Sequence, residues 1–281
     1  MTARAKRRPP RRARRSRAAG APKRRSRAAA HPALAAAVKA ARAAGEIALK
    51  YYRGGFKVMI KPDATPVTQA DREAERAIIA VLRRAFPDYG FLGEEFGEQG
   101  SRETRWIIDP IDGTKNFVRR IPIWAVLIAL EEDGQVTTGV VYNPATAELF
   151  WARKGEGAWA NGLRMAVSTC AVMKDAFLIH SSLNILRAAG FWAGFEHLVD
   201  ATSRQRGFGD YFGYCMVAEG KAEIYAEADL KAWDVAPMKI LVEEAGGKLT
   251  DFAGKSDIYT GSVLATNGLL HDEALRHLRR A

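Results

Sequence analysis

Four acidic segments in this chain could converge on a hard cation or on a phosphate. They are Gly93-Glu94-Glu95, Asp109-Pro110-Ile111-Asp112-Gly113-Thr114, Trp233-Asp234, and Asp71 near the start of an apolar-periodic run. The second is the most informative. Asp109 follows the apolar Trp106-Ile107-Ile108, which places it at the end of a short buried strand. Pro110 has no N–H to give to a ladder and forces a turn. Asp112 then returns toward Asp109, with the Ile111 carbonyl between them as a third oxygen. Gly113 lets the backbone approach a ligand closely. The amides of Gly113 and Thr114 would open a helix, and a helix N-terminus binds phosphate. Oxygen-only ligands suit magnesium or manganese. Packed carboxylates would otherwise repel and take up protons, and bound cations remove that cost.

Each segment alone has a plainer reading. Asp-Gly is commonly a turn, Glu-Glu a solvated face, and Asp234 a helix N-cap. Other chemistries fit less well. Asp-x-x-Asp-Gly lacks the spacing of a calcium loop, and no GxxxxGK[ST] phosphate loop is present. His31, His180, His197, His271 and His277 form no zinc-type pairing.

The elements that must position these residues follow from periodicity and punctuation. Residues 32–53 read as an Ala-rich helix ending near Gly54-Gly55. Thr68 with Asp71 forms a capping box for a second helix that runs to Phe86 and stops at Pro87. Ala125–Leu130 and Val136–Tyr142 flank Asp133-Gly134, a hairpin signal. Leu149–Ala152 is a further strand. After about residue 167 the pattern alternates: strands at Ala176–Ile179, Ala222–Ala226, Lys248–Asp251 and Val263–Ala265, and helices through Phe195 and Leu198, at Tyr211–Glu219, Val235–Ala245 and Leu270–Arg279. The expectation is an α+β half over residues 31–167 with most of the acids, and a layered α/β half over 168–281 with Asp234.

The 281 residues carry a net charge of +11, but the charge is localised. Residues 1–30 hold 13 Lys or Arg and no acid, which leaves 30 basic and 32 acidic residues in the rest. This tail has no apolar h-region, so it is not a signal peptide, and its like charges predict disorder. Weak contact with a polyanion is one role for it. The absence of any aromatic residue for base stacking favours an unselected extension. No apolar run is long enough to span a membrane. Cys170 and Cys215 are too few for a disulfide framework and suit a reducing, cytoplasmic setting.

Taken together, Gly93-Glu94-Glu95, Asp109-Pro110-Ile111-Asp112-Gly113-Thr114 and Trp233-Asp234-Val235-Ala236 resemble, in order and approximate spacing, the inositol monophosphatase superfamily over roughly residues 34–280. The resemblance implies an α/β layered fold, an αβαβα sandwich of the inositol monophosphatase and fructose-bisphosphatase type, with a site for two or three magnesium ions. It implies that Glu94, Asp109 and the Ile111 carbonyl hold one ion and that Asp109, Asp112 and Asp234 hold the second, with a weaker third ion near Glu94. It further implies that Thr114, paired with Asp71, orients and helps deprotonate the attacking water, while Gly113 and Thr114 amides bind phosphate. A homodimer or higher homo-oligomer is expected. Pro237 stands where the family usually has a small residue, and a place in the first helical turn would accommodate it.

Two segments resemble the histidinol-phosphate phosphatase branch: Asp112 to Arg119 with Pro122-Ile123-Trp124, and Gly209 to Tyr214. Histidinol carries an ammonium and an imidazole, and inositol is a neutral polyol. An added carboxylate at Asp210 therefore favours the former. By resemblance, Glu227 contacts the alcohol part of the substrate. Asp210 could instead be a helix N-cap, and Glu227 a surface acid. The expected activity is hydrolysis of a small phosphorylated metabolite, histidinol phosphate ahead of inositol phosphate. The alternative class, a polyanion-binding protein on a relic fold, is disfavoured because no member of the acidic set is missing.

Overall fold

The computed structural model describes residues 31–55, 58–60 and 66–279. The basic tail of residues 1–30, with its expected disorder and polyanion contact, lies outside the described residues.

Two sheets and three helical layers alternate. The outermost layer holds α1 (Pro32–Gly54) and α2 (Gln69–Ala85), joined through the short pair β1 (Val58–Ile60) and β2 (Pro66–Thr68). Next comes an eight-stranded sheet: β3 (Gly90–Gly93), β4 (Gly97–Gln99), β5 (Thr104–Asp112), β6 (Ala125–Glu132), β7 (Gln135–Asn143), β8 (Glu148–Arg153), β9 (Gly157–Ala160) and β10 (Leu163–Arg164). Its order is β10-β9-β8-β7-β6-β5-β3-β4, antiparallel except between β3 and β5. A short helix, α3 (Thr114–Val118), sits between β5 and β6. The second sheet comprises β11 (Phe177–His180), β12 (Arg204–Gly207), β13 (Ile224–Ala228), β14 (Lys248–Thr250) and β15 (Ser262–Thr266), in the order β12-β11-β13-β15-β14. Between the sheets lie α6 (Asp210–Ala218) and α7 (Ala232–Glu244). Beyond the second sheet lie α4 (Leu183–Ala188), α5 (Trp192–Ala201) and α8 (His271–Leu278).

Strand alternation explains the layering. Along β5 and β6, Trp106, Ile108, Val126, Ile128 and Leu130 point into the core under α1 and α2. Ile107, Ala125, Leu127 and Ala129 point the other way, onto α6 and α7. The second sheet repeats the device: Ile179, Tyr225, Val263 and Ala265 face the middle helices, and Leu178, Ile224, Ala226 and Leu264 face α5 and α8. The expected αβαβα sandwich is therefore the fold. Asp133 (φ 50°) and Gly134 (φ 74°) both take positive φ in the β6–β7 hairpin, as a tight primed turn requires.

Several elements differ from expectation. The strand read at 106–108 extends over nine residues, because Pro110 is absorbed in a bulge rather than ending the pairing. Strands β1, β2, β3, β4, β9, β10 and β12 are short, and four of them carry glycines that mask any period-2 signal. Pro237 is not in the first turn of α7. The helix starts at Ala232, so Pro237 lies inside it. Its Cα and carbonyl pack against β7 at Gly139, where a Cβ would come within 3.2 Å and 2.8 Å of them. Both cysteines are free. No helix among the described residues is long and apolar enough to cross a membrane.

Candidate metal and phosphate site

The site grows out of the irregularity in β5. Asp109 pairs with Leu127 and Asp112 with Ala125, so one extra residue is inserted between them. The bulge turns both carboxylates to the same side. Asp109 Oδ1 accepts the Ile111 amide at 2.9 Å, which holds the turn in place. Asp112 Oδ2 accepts the Tyr211 amide at 2.7 Å from the start of α6. Gly113 adopts a left-handed φ of 80°, and the chain enters α3 at Thr114. Phe117 anchors that helix, edge-on to Trp124 at 4.9 Å.

Asp234 arrives from the middle layer. It is the third residue of α7, and its Oδ2 accepts the Lys231 amide at 2.7 Å, so it closes a capping interaction from inside the helix rather than sitting at the N-cap. One oxygen from each of Asp109, Asp112 and Asp234 lies within 4.8 Å of the others. Glu94 follows β3, its amide donating to the Ile108 carbonyl at 3.2 Å, and its charge is the strongest neighbouring influence on Asp109.

Electrostatics make the cluster a candidate for a cation. Burial first, then the charges of Glu94, Asp112 and Asp234, push Asp109 well above the carboxylate range. Burial, then Asp210 and Asp234, do the same to Asp112. Burial raises Asp234 to about 7. Among the described residues no lysine or arginine forms an ion pair with these three aspartates. Three mutually repelling carboxylates, buried and supplying only oxygen, fit a hard divalent ion.

Other expected site residues fall nearby. The Ile111 carbonyl accepts the Thr114 hydroxyl at 3.0 Å and retains a second lone pair. Asp71 is buried, and burial raises it to about 6. Thr114 and Asp71 do not hydrogen-bond to each other. Asp71 Oδ2 instead accepts the Thr68 hydroxyl at 2.6 Å and the Thr68 amide at 2.8 Å, as its capping role demands. Asp210 and Glu227 approach from the second half. Asp210 is not an N-cap: α6 has Gly209 there and no side-chain cap, and Asp210 Oδ2 accepts from Asn116 Nδ2 at 2.9 Å. Burial raises Asp210 to about 6 against the opposing charge of Lys115. Glu227 is buried rather than on the surface, accepts the Tyr225 hydroxyl, and is raised to about 8 by burial and by Asp210.

One participant was missed in the sequence. Glu75 is wholly buried, and its two oxygens accept the Glu95 amide at 2.8 Å and the Phe96 amide at 3.1 Å, clamping the turn that carries Glu94. Gly93 leaves room for it, since a Cβ there would stand 1.9 Å from Glu75 Oε1. The signal was present. Asp71 and Glu75, four apart, lie on the face of α2 that also buries Ala74, Ile78 and Leu82.

With an αβαβα sandwich and an acid cluster that could hold a metal ion, the chain is a phosphoric monoester hydrolase. The chain belongs to the inositol monophosphatase family, which matches residues 29–281. It is 47% identical over 229 residues to a histidinol-phosphatase of Mycobacterium tuberculosis, covering 79% of this chain and 88% of that protein. It is 37% identical to an inositol-1-monophosphatase of Mesorhizobium japonicum, covering 80% and 87%. Among solved structures, the extragenic suppressor protein suhB from Bartonella henselae matches with a TM-score of 0.83 at 35% identity, over 89% of this chain and 100% of that one.

Proposed function

We propose that this protein hydrolyses histidinol phosphate to histidinol and phosphate, using two or three magnesium ions, with manganese as a substitute. The observation that carries the substrate choice is the pair of carboxylates, Asp210 and Glu227, standing beside the acid cluster, with Asp210 Oδ2 hydrogen-bonded to Asn116 Nδ2 just past the end of β5. An amine-bearing alcohol gains charge-assisted hydrogen bonds from such a pair, and a neutral polyol gains only ordinary ones. The 47% identity to a histidinol-phosphatase supports the same reading.

In this reading Glu94, Asp109 and the Ile111 carbonyl hold one ion, Asp109, Asp112 and Asp234 hold another, and a third binds more weakly near Glu94. Bound there, the ions supply Lewis acidity and offset the charge that develops on the phosphate and the leaving oxygen. The chain's own groups do the remainder. Gly113 and Thr114 amides bind the phosphate. Thr114 and Asp71 orient the attacking water, and Asp71, raised to about 6, takes its proton. Asp210 and Glu227 hold the alcohol, so that little beyond positioning is required. The protein acts as a homo-oligomer in the cytoplasm.

The test is catalytic efficiency on histidinol phosphate and inositol 1-phosphate, with Asp210→Asn beside the wild type. The variant should lose about 10- to 150-fold on histidinol phosphate, the equivalent of a charged hydrogen bond, and much less on inositol phosphate. Equal losses on both would leave a phosphatase without preference for an amine-bearing alcohol.

A further inference from the structure

Asp210 is held in an unusual way, and its restraints come from both halves of the molecule. Its backbone is left-handed, with φ 58°, a region that side-chain-bearing residues enter only when their surroundings enforce it. In that conformation its side chain leaves its own helix uncapped and points to α3. There Asn116 Nδ2 donates to Oδ2 at 2.9 Å. The adjoining backbone is pinned as well. The Tyr211 amide donates to Asp112, the Tyr211 hydroxyl accepts from Asn143 Nδ2 at 2.7 Å, and the Tyr225 hydroxyl lies 3.5 Å from the Asp210 carbonyl.

Asn116 is a suitable fixed point. It follows Gly113 and Thr114 by a single turn, its amide donates to the Gly113 carbonyl at 2.9 Å, and its carbonyl accepts the Ile121 amide at 3.0 Å. The next residue, Phe117, is sealed into the cluster with Trp124 and Ile111. Gly113 lies directly beneath the bond: a Cβ on it would stand 3.2 Å from Asp210 Oδ2. The amide donor is therefore rigidly tied to the phosphate-binding turn, and the carboxylate it holds belongs to the first residue of α6, between the two sheets.

We infer that Asn116 is a positioning residue for substrate choice: by holding one oxygen of Asp210, it aims the other at the cationic group of the alcohol and fixes the distance from that carboxylate to the phosphate. This rests on the reading of Asp210 as an alcohol contact. Asn116 itself touches no reacting atom. It selects esters whose ammonium or imidazolium lies at the span between the phosphate turn and Asp210.

The experiment is a double-mutant cycle on the full chain with magnesium: wild type, Asn116→Ala, Asp210→Asn and the double variant, each assayed on histidinol phosphate and inositol 1-phosphate, with melting temperatures. Asn116→Ala should lower the ratio of the two efficiencies by about 3- to 10-fold, less than Asp210→Asn does, because the carboxylate remains but loses its aim. The loss should fall in KM more than in kcat. Asn116→Ser, which keeps a shorter donor, should recover part of the ratio and serves if the alanine variant folds poorly. In the Asp210→Asn background, Asn116→Ala should change the ratio by less than about twofold, since a residue that acts only through Asp210 has nothing left to aim. Equal losses on both substrates, or the full loss persisting in that background, would overturn the inference while leaving the substrate reading intact. If Asp210→Asn itself leaves the ratio unchanged, the substrate reading fails and this inference falls with it.

Discussion

Two groups of buried carboxylates, one on α2 and one on β5, differ in what their oxygens do. Glu75 is 0% exposed and is raised to about 7 by burial, yet both its oxygens are filled by backbone amides of the Glu94 turn. Asp109 and Asp112 are 3% and 6% exposed and are also raised, but each gives one oxygen to an amide and faces another carboxylate. Burial and an elevated proton affinity are common to both, so neither separates a structural acid from a functional one. The separation lies in satisfaction. Glu75 has the partners a buried charge requires. The aspartates have one amide each and otherwise face one another, an arrangement that could hold a metal ion.

The largest effect should come from breaking the unsatisfied group. Asp109→Asn should cost turnover more than about 100-fold, beyond the loss typical of a group that merely supports a ligand. In chelator it should also raise the melting temperature, because it removes repulsion that nothing offsets. Normal turnover by this variant, or by wild-type enzyme in chelator, would reject the metal mechanism.

A second prediction concerns pH. Asp234 at about 7 and Glu227 at about 8 stand above their unfolded values near 4, so the native state binds more protons than the unfolded chain. Their favourable contribution is present at low pH and is lost as pH rises through about 4 to 8. The melting temperature in chelator should therefore decline over that window, and the gain on adding magnesium should grow from pH 5 to pH 8. A gain that does not change with pH would mean that the acids are not the binding groups.

Glu75→Gln should separate the two groups from the other side. An amide places an NH2 against one of two backbone donors, so the fold should lose about 1–3 kcal/mol. Magnesium affinity, measured by titration calorimetry, should weaken about 10- to 100-fold through Glu94. Unaltered affinity with lower stability would show that the clamp holds the fold and not the ligand. The smallest effect is expected from deleting residues 1–30. All the described site residues lie after His31, and both the melting temperature and turnover should stay at wild-type values.

How much of this was legible beforehand depends on how local the signal is. The capping box at Thr68 and Asp71 and the Asp133-Gly134 turn are written in adjacent residues and could be read directly; the return of Asp112 toward Asp109 was legible too, but as a turn at Pro110 rather than the bulge that β5 contains. The layering followed from the alternation of strands and helices after about residue 167 and from the family resemblance, and the two-faced packing of β5 and β6 emerged only in the structure. Glu75 was missed although its place on the buried face of α2 was legible, because the amides it binds belong to a turn 20 residues away. The hydrogen bond from Asn116 to Asp210 spans 94 residues, and no spacing rule reaches that far. The start of α7 was misplaced because Asp234, which can cap, does so from the third position.

The inner face of the first sheet has a further consequence, in the order of synthesis. Ile107, Leu127 and Val141 are covered by α6 and α7, whose residues run from 210 to 244. A chain emerging from the ribosome completes β10 at Arg164 some 45 residues before the first of those helices exists. Through that interval it can seal the face under α1 and α2 but presents the opposite face bare. Asp234 arrives with the same late segment, so the third aspartate of the cluster and the cover over this face are synthesised together.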